Sequence, residues 1–259
     1  MSTFLFPLKA LVLLVFLMKI LNIQAATIGM DERGRSYKID GEITAGDYQK
    51  FLKLVAQKRG VRLNLNSKGG NLAEAIKIAE LTNRLSLWTY VGKGDLCASA
   101  CFFIWMNGEY RTANKLQTTG SQMNIGLHRP YLSNPSAEIS STDTQQSVQR
   151  KTVVYLEERL VPRRLIDLMM SRASNEIYWM TEADYHELGE YPPHVEELVI
   201  SKCQYDKNNW NKWFALMDQG RVNEANQIEN KISAIEKCAG DIQVDRVIRA
   251  RDKLFGMGK

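Results

Sequence analysis

Apolar and polar positions along this chain change rhythm often, and each rhythm predicts an element. Between Ala45 and Lys58, Tyr48, Phe51, Leu52 and Val55 recur at the spacing of one helical face. Val61, Leu63 and Leu65 then alternate with polar residues, the period of a strand. The turn Asn66-Ser67-Lys68-Gly69-Gly70 leads into a second helical face made by Leu72, Ala75, Ile76 and Ala79. Asn71 is placed to cap that helix, which runs to Leu85. Leu87 to Val91 (LWTYV) is rich in strand formers, and Gly92-Lys93-Gly94-Asp95 turns the chain. Cys97 to Met106 (CASACFFIWM) predicts a buried helix entered near Ser99 and ended by Gly108. Asn124 to His128 (NIGLH) predicts a short strand running into Arg129-Pro130.

The flanks read differently. Thr27 to Tyr37 is polar, either irregular or a short first strand. Leu132 to Asp143 is rich in Ser, Thr and Pro, the composition of a loop or lid. Gln145 to Leu160 predicts a helix, Pro162 opens another, and Thr181 to Leu188 a third, capped by Thr181 and stopped by Gly189. After Pro192-Pro193 the pattern becomes polar and helical through Lys259. This divides the chain into a main domain, 26–197, and a helical C-terminal extension, 198–259. Trp210, Trp213 and Phe214 stand out in that extension and are expected to pack down onto the main domain, although the extension is also a candidate for homo-oligomer assembly. No repeat of sequence is visible. Alternating helix and strand rhythms over 40–130 predict βαβ units and a mainly parallel sheet.

The N-terminus adds a compartment. Lys9 precedes the apolar run Ala10 to Met18, followed by Lys19 and Ile23-Gln24-Ala25-Ala26. A basic lead, a short apolar core and small residues at the end predict a secretory signal over 1–25. The uninterrupted run is short for a bilayer, and the alternative is a retained membrane anchor extended by Ile20 and Leu21. Removing 1–25 takes away two lysines and no acids, so the net charge falls from +5 to +3. That excess is too small, and too unclustered, to argue for nucleic acid. With 44% hydrophobic and 24% charged residues, the chain is a folded protein rather than a disordered or collagenous one.

Four cysteines in an exported chain suit disulfides, and three pairings are open. Cys203–Cys238 is favoured, as a clip on the C-terminal region. Cys97 and Cys101 either pair with each other or are small buried core residues. Their spacing suggests no zinc site, and no cofactor is implied.

Three segments could act together. In LNLNSKGGNLAEA (63–75) a strand ends in two glycines whose amides can turn outward toward a ligand. In CASAC (97–101) Ser99 lies among small residues at a helix start, with the Ala100 N–H just behind it. In NIGLHRP (124–130) His128 ends a strand, where it can take a proton from a hydroxyl. Read singly, these are a tight turn, a helix cap and a structural histidine.

Taken in order, the same residues carry a resemblance. LNSKGGNLAEA resembles the INSPGG segment of the Clp protease proteolytic subunit, the Ser99 stretch its nucleophile helix, and GLHRP its histidine strand. WMTEADYHELGEY (179–191) resembles a late segment of that family, and the likeness covers about residues 38–195. It is nearest to exported, ClpP-like proteins of the ClpP/crotonase superfamily. The resemblance implies an α/β spiral of ββα units and a periplasmic, ATP-independent serine peptidase acting on peptides or unfolded protein, with no ATPase partner. It implies Ser99 as nucleophile, His128 as base, and an oxyanion hole from Gly69 or Gly70 with Ala100. Lys68 replaces the family's proline, and no aspartate falls near 173–175. Asn175 is the candidate third member; Asp167, Glu176, a Ser–His dyad and Lys68 as base are the other options. Two rivals follow: a degenerate module that holds a peptide or acyl ligand without cleaving it, and a crotonase-type thioester enzyme, which export disfavours.

Overall fold

A computed structural model describes residues 25–118, 121–131, 145–173, 175–206 and 208–257. Nearly all of the expected signal segment, and the expected lid at 132–143, lie outside the described residues.

The architecture follows from one unit used four times. Strand β2 (Ser36–Asp40) is followed by Ile43 and helix α1 (Asp47–Gln57). Strand β3 (Arg62–Asn66) is followed by Ser67, the glycine pair and helix α2 (Leu72–Arg84). Strand β4 (Trp88–Val91) gives way to β5 (Cys97–Ala98) and helix α3 (Ala100–Met106). Strand β6 (Tyr110–Ala113) gives way to β7 (Gln122–Leu127) and helix α4 (Gln145–Glu157). In each unit the first strand joins one parallel sheet, β2-β3-β4-β6, edged by antiparallel β1 (Thr27–Met30). The second segment joins another layer: Ile43 bridges Gly70, Ser67 bridges Cys97, and β5 pairs with β7, all in parallel. The chain is therefore a coil of ββα turns. Register shows the period: Ser36, Arg62, Trp88 and Tyr110 pair in succession, 26, 26 and 22 positions apart. The repeat is one of backbone path and has no counterpart in side-chain sequence.

Local chemistry explains the element ends. Asn71 accepts a hydrogen bond from the Glu74 N–H at 3.0 Å, capping α2 as expected. The Glu74 carboxylate then accepts from the N–H groups of Gly46 and Tyr48, holding the start of α1 against α2. Strand β8 (Tyr178–Thr181) lies antiparallel to β7 and runs into helix α6 (Glu182–Leu188), which follows α5 (Arg163–Ser171). Thr181 and Asp184 form a capping box there. Neither β6 nor β8 is predicted by periodicity, and Cys97–Ala98 is strand rather than helix.

The C-terminal region is helical from Pro193: α7 (Pro193–Cys203), α8 (Asn209–Asp218) and α9 (Val222–Phe255). Helix α7 runs through the boundary expected at 197/198. A small core of Val195, Val199, Cys203 and Ala239 joins α7 to α9, and Cys203 is disulfide-bonded to Cys238. The aromatic side chains of α8 belong to neither of the two hydrophobic cores found among the described residues. Trp210, Trp213 and Phe214 pack edge-on or tilted against one another, and Trp210 and Phe214 are 46% and 57% exposed. The short α8 lies against α9, and none of its residues is buried. Among the described residues, no helix is long and apolar enough to cross a membrane.

The far end of α9 returns to the main core. Val247 belongs to it, and Arg246 pairs with the buried Glu109. Buried Arg251 donates to the carbonyls of Val55 and Ala56, each at 3.0 Å. These are orphan acceptors at the C-terminus of α1, where a cation is favoured. Replacing Arg251 by Ala is expected to lower stability by about 2–3 kcal/mol, the worth of charged hydrogen bonds plus stranded carbonyls, as read by urea unfolding.

Candidate active site

The site begins where β3 ends. The Ser67 N–H donates to the Leu96 carbonyl at 2.7 Å, and the Ala98 N–H returns a bond to the Ser67 carbonyl at 3.0 Å. These bonds lay the glycine turn alongside the CASAC segment. Gly69 and Gly70 take φ values of 103° and 129°, which L side chains rarely adopt. Space forbids a side chain as well. A Cβ on Gly69 would lie 2.6 Å from the Ser99 Cβ, and one on Gly70 would lie 2.2 Å from the Ile43 carbonyl oxygen.

Ser99 is the single residue between β5 and α3, so it alone must convert a strand into a helix. It does so at φ 56° and ψ −125°. Gln204, also at positive φ, has ψ 37° and sits in the ordinary left-handed well; Ser99 does not. Such a backbone costs on the order of 1–3 kcal/mol and persists only where its surroundings impose it. The surroundings are Gly69 on one side and β7 on the other, where the Gly126 carbonyl accepts the Ser99 N–H at 3.0 Å. A disulfide between Cys97 and Cys101 closes around the same residue. Among the described residues the Ser99 hydroxyl has no hydrogen-bond partner, and it does not cap the helix it precedes.

His128 follows the last residue of β7 and is 8% exposed. Its Nδ1 lies 2.9 Å from the Arg129 carbonyl oxygen. A carbonyl only accepts, so Nδ1 donates, and in the neutral ring Nε2 is the acceptor nitrogen. The Tyr131 ring packs beside the imidazole, with centroids 5.9 Å apart.

One cavity of about 800 Å³ gathers Gly69, Gly70, Ser99, Ala100 and His128 into its lining. Ile43, Leu72, Leu96, Phe103, Pro130 and Tyr131 supply its apolar wall. Of its acids, Asp40 is paired with Lys38 at 2.6 Å, a hydrogen bond that pushes the lysine pKa up. Glu42, which also lines the cavity, has no hydrogen bond or ion pair from its carboxylate among the described residues.

The backbone donors sort themselves. The Gly69 N–H is already bonded to the Ser67 hydroxyl at 3.1 Å. The N–H groups of Gly70 and Ala100 donate to nothing among the described residues, and both residues line the cavity. The backbone donors left for a ligand in this cavity are therefore those of Gly70 and Ala100, with Gly69 as the residue that permits close approach.

Asn175 is not with the others. It is exposed on a turn before β8, it does not line the cavity, and the Arg129 carbonyl holds the position behind His128 instead. Asp167 is paired with Arg163 at the surface, Glu176 is exposed, and Lys68 is exposed at the cavity edge. Pattern reading passed over Ser67, Gly126 and Tyr131. Only Gly126 left a signal, a glycine inside a strand, which marks a close backbone approach. Among the described residues no cluster of His, Cys, Asp and Glu could hold a metal.

No protein-family model matches the chain, and no curated protein matches it. Solved structures of the ClpP/crotonase type do, at low identity. The chain is similar to ClpP1 from Listeria monocytogenes at 18% identity, covering 61% of this chain and 89% of that one, with a TM-score of 0.43. It is similar to a mutant of the 1510-N membrane-bound stomatin-specific protease at 15% identity, covering 63% and 81%, TM-score 0.42. It is similar to an enoyl-CoA hydratase from Bacillus anthracis at 10% identity, covering 90% and 95%, TM-score 0.39. At such values none of them fixes an activity for this chain.

Gly70→Ala is expected to destabilise the protein by more than about 2 kcal/mol, because backbone must move to admit the methyl group. Thermal unfolding measures it, and an unchanged melting temperature would contradict the packing described.

Proposed function

We propose that this chain is an exported serine hydrolase, a peptidase that works without an ATPase partner. Ser99 is its nucleophile, His128 its general base, and the Gly70 and Ala100 amides its oxyanion hole. The observation that carries the reading is the Ser99 backbone. A strained serine shares a cavity with a buried imidazole and with two N–H donors, and among the described residues neither its hydroxyl nor those donors have a partner.

The chemistry follows from those groups. Nε2 takes the hydroxyl proton as Oγ attacks a peptide carbonyl, and the resulting oxyanion is met by the two amides. The imidazolium then protonates the leaving amine, and water releases the acyl group by the same steps in reverse. The Arg129 carbonyl orients the ring, as an aspartate would, but it brings a dipole in place of a full negative charge. It stabilises imidazolium less, which favours a slow enzyme. The apolar wall suits extended peptides or unfolded segments. Both described disulfides suit an oxidising compartment. That no carboxylate stands behind His128 among the described residues also favours the rival reading, in which the same cavity holds a peptide or acyl ligand without cleaving it.

A fluorophosphonate probe separates the two. The expected result is covalent labelling of the folded protein at Ser99, abolished in Ser99→Ala. His128→Ala is expected to slow labelling by about 10²–10⁴-fold, and Asn175→Ala to leave the rate unchanged. Folded protein that binds peptide but is never labelled would establish the rival.

A further inference from the structure

The disulfide between Cys97 and Cys101 lies outside the mechanism just given, yet Ser99 is the middle residue of the ring it closes. We infer that this bond is a positioning device for the Ser99 hydroxyl, so that reactivity at Ser99 requires it; the inference rests on the hydrolase reading above.

The ring holds five residues. The Cα atoms of Cys97 and Cys101 are 5.2 Å apart, whereas four extended steps would span roughly 13 Å. Ala98 ends the strand and Ala100 begins the helix, so the reversal falls on Ser99. Both cysteines are 0% exposed and neither lines the cavity, whereas Ser99 and Ala100 do. The bond therefore braces the turn from behind and touches no substrate. Its anchors are the other parts of the site. Cys97 bridges Ser67 in the glycine turn and pairs with Ile125 on β7, the strand that leads to His128. Fixing Cys97 to Cys101 thus fixes Ser99 against the donors and the base together.

A role in global stability explains the placement poorly. The stabilisation from a crosslink grows with the loop it closes. Cys203–Cys238 spans 35 positions and serves that purpose; Cys97–Cys101 spans four. A short ring around one strained residue is better suited to setting local geometry.

The test compares the full-length protein with two disulfide-free variants, Cys97→Ala/Cys101→Ala and Cys203→Ala/Cys238→Ala. Three quantities are read: the fluorophosphonate labelling rate, the melting temperature, and the Ser99 φ in crystals. The expected result is a folded Cys97→Ala/Cys101→Ala protein labelled at least tenfold more slowly, with Ser99 relaxed out of positive φ. With a peptide substrate the loss falls on kcat and leaves KM near its starting value. Cys203→Ala/Cys238→Ala is expected to melt lower yet label at the parent rate. Equal labelling of both variants, or a Ser99 that keeps positive φ without the bond, overturns the proposal. If the parent protein is never labelled, the hydrolase reading fails, and the Ser99 φ in the variant still decides the positioning role. If Cys97→Ala/Cys101→Ala does not fold, dithiothreitol in mild urea replaces it. The reagent gives two electrons and two protons to the disulfide and becomes a cyclic disulfide. Labelling should fall on reduction and return on reoxidation, and a reduced protein labelled at the full rate overturns the proposal.

Discussion

Contact between two backbones is the constraint on which the site depends. Gly69 lies so close to Ser99 that one carbon atom would not fit between them. That closeness requires a glycine in the β3–α2 turn and a sharp bend at the serine. It also requires hydrogen bonds on the far side of each partner, from Ile43 to the Gly69 carbonyl and from Ser99 to Gly126. Three turns of the coil and β7 of the fourth are thereby committed to one small region. The cavity exists because glycine leaves space on the solvent side of that contact and His128 borders it.

The coil explains why segments distant in sequence converge. Each ββα turn advances one strand in each layer, so the ends of successive first strands lie side by side. The chain crosses from one layer to the other at Ile43, Ser67 and Cys97, and those residues bridge one another or their neighbours. A site built at the crossing draws one segment from each turn. This is the geometry that brings together a glycine turn, a serine and a histidine separated by dozens of residues. The helices need only cover the layers; α3 is almost wholly buried in doing so.

Much of this was legible in the sequence, and the failures share a physical cause. Helices α1 and α2 carry a clear apolar stripe because one face meets the core and the other meets water. The glycine turn, Ser99 and His128 stand out by the order in which they follow one another and by the resemblance that order carries, and they line one cavity. Strand β6 (YRTA) left no signal: it buries an arginine, Arg111, whose guanidinium donates to the carbonyls of Met106 and Leu188. Tertiary hydrogen bonds, not hydrophobicity, stabilise it there. Asn175 became a candidate because the family that the chain resembles has its aspartate near that position, yet the group behind His128 is a main-chain carbonyl, which every residue possesses and no pattern reveals. The α8 aromatics were expected inside because they are large and apolar, but an aromatic cluster can satisfy much of its contact internally.

Arg251 has one more consequence. It completes the end of α1, whose carbonyls lie 195 and 196 positions earlier in the sequence. A ribosome must add 195 residues after Ala56 before α1 receives this partner. Until then Val55 and Ala56 present bare carbonyls and the adjoining core lacks Val247. Native closure of this helix thus waits for α9, and a product that stops before Arg251 would lack the side chain that caps it.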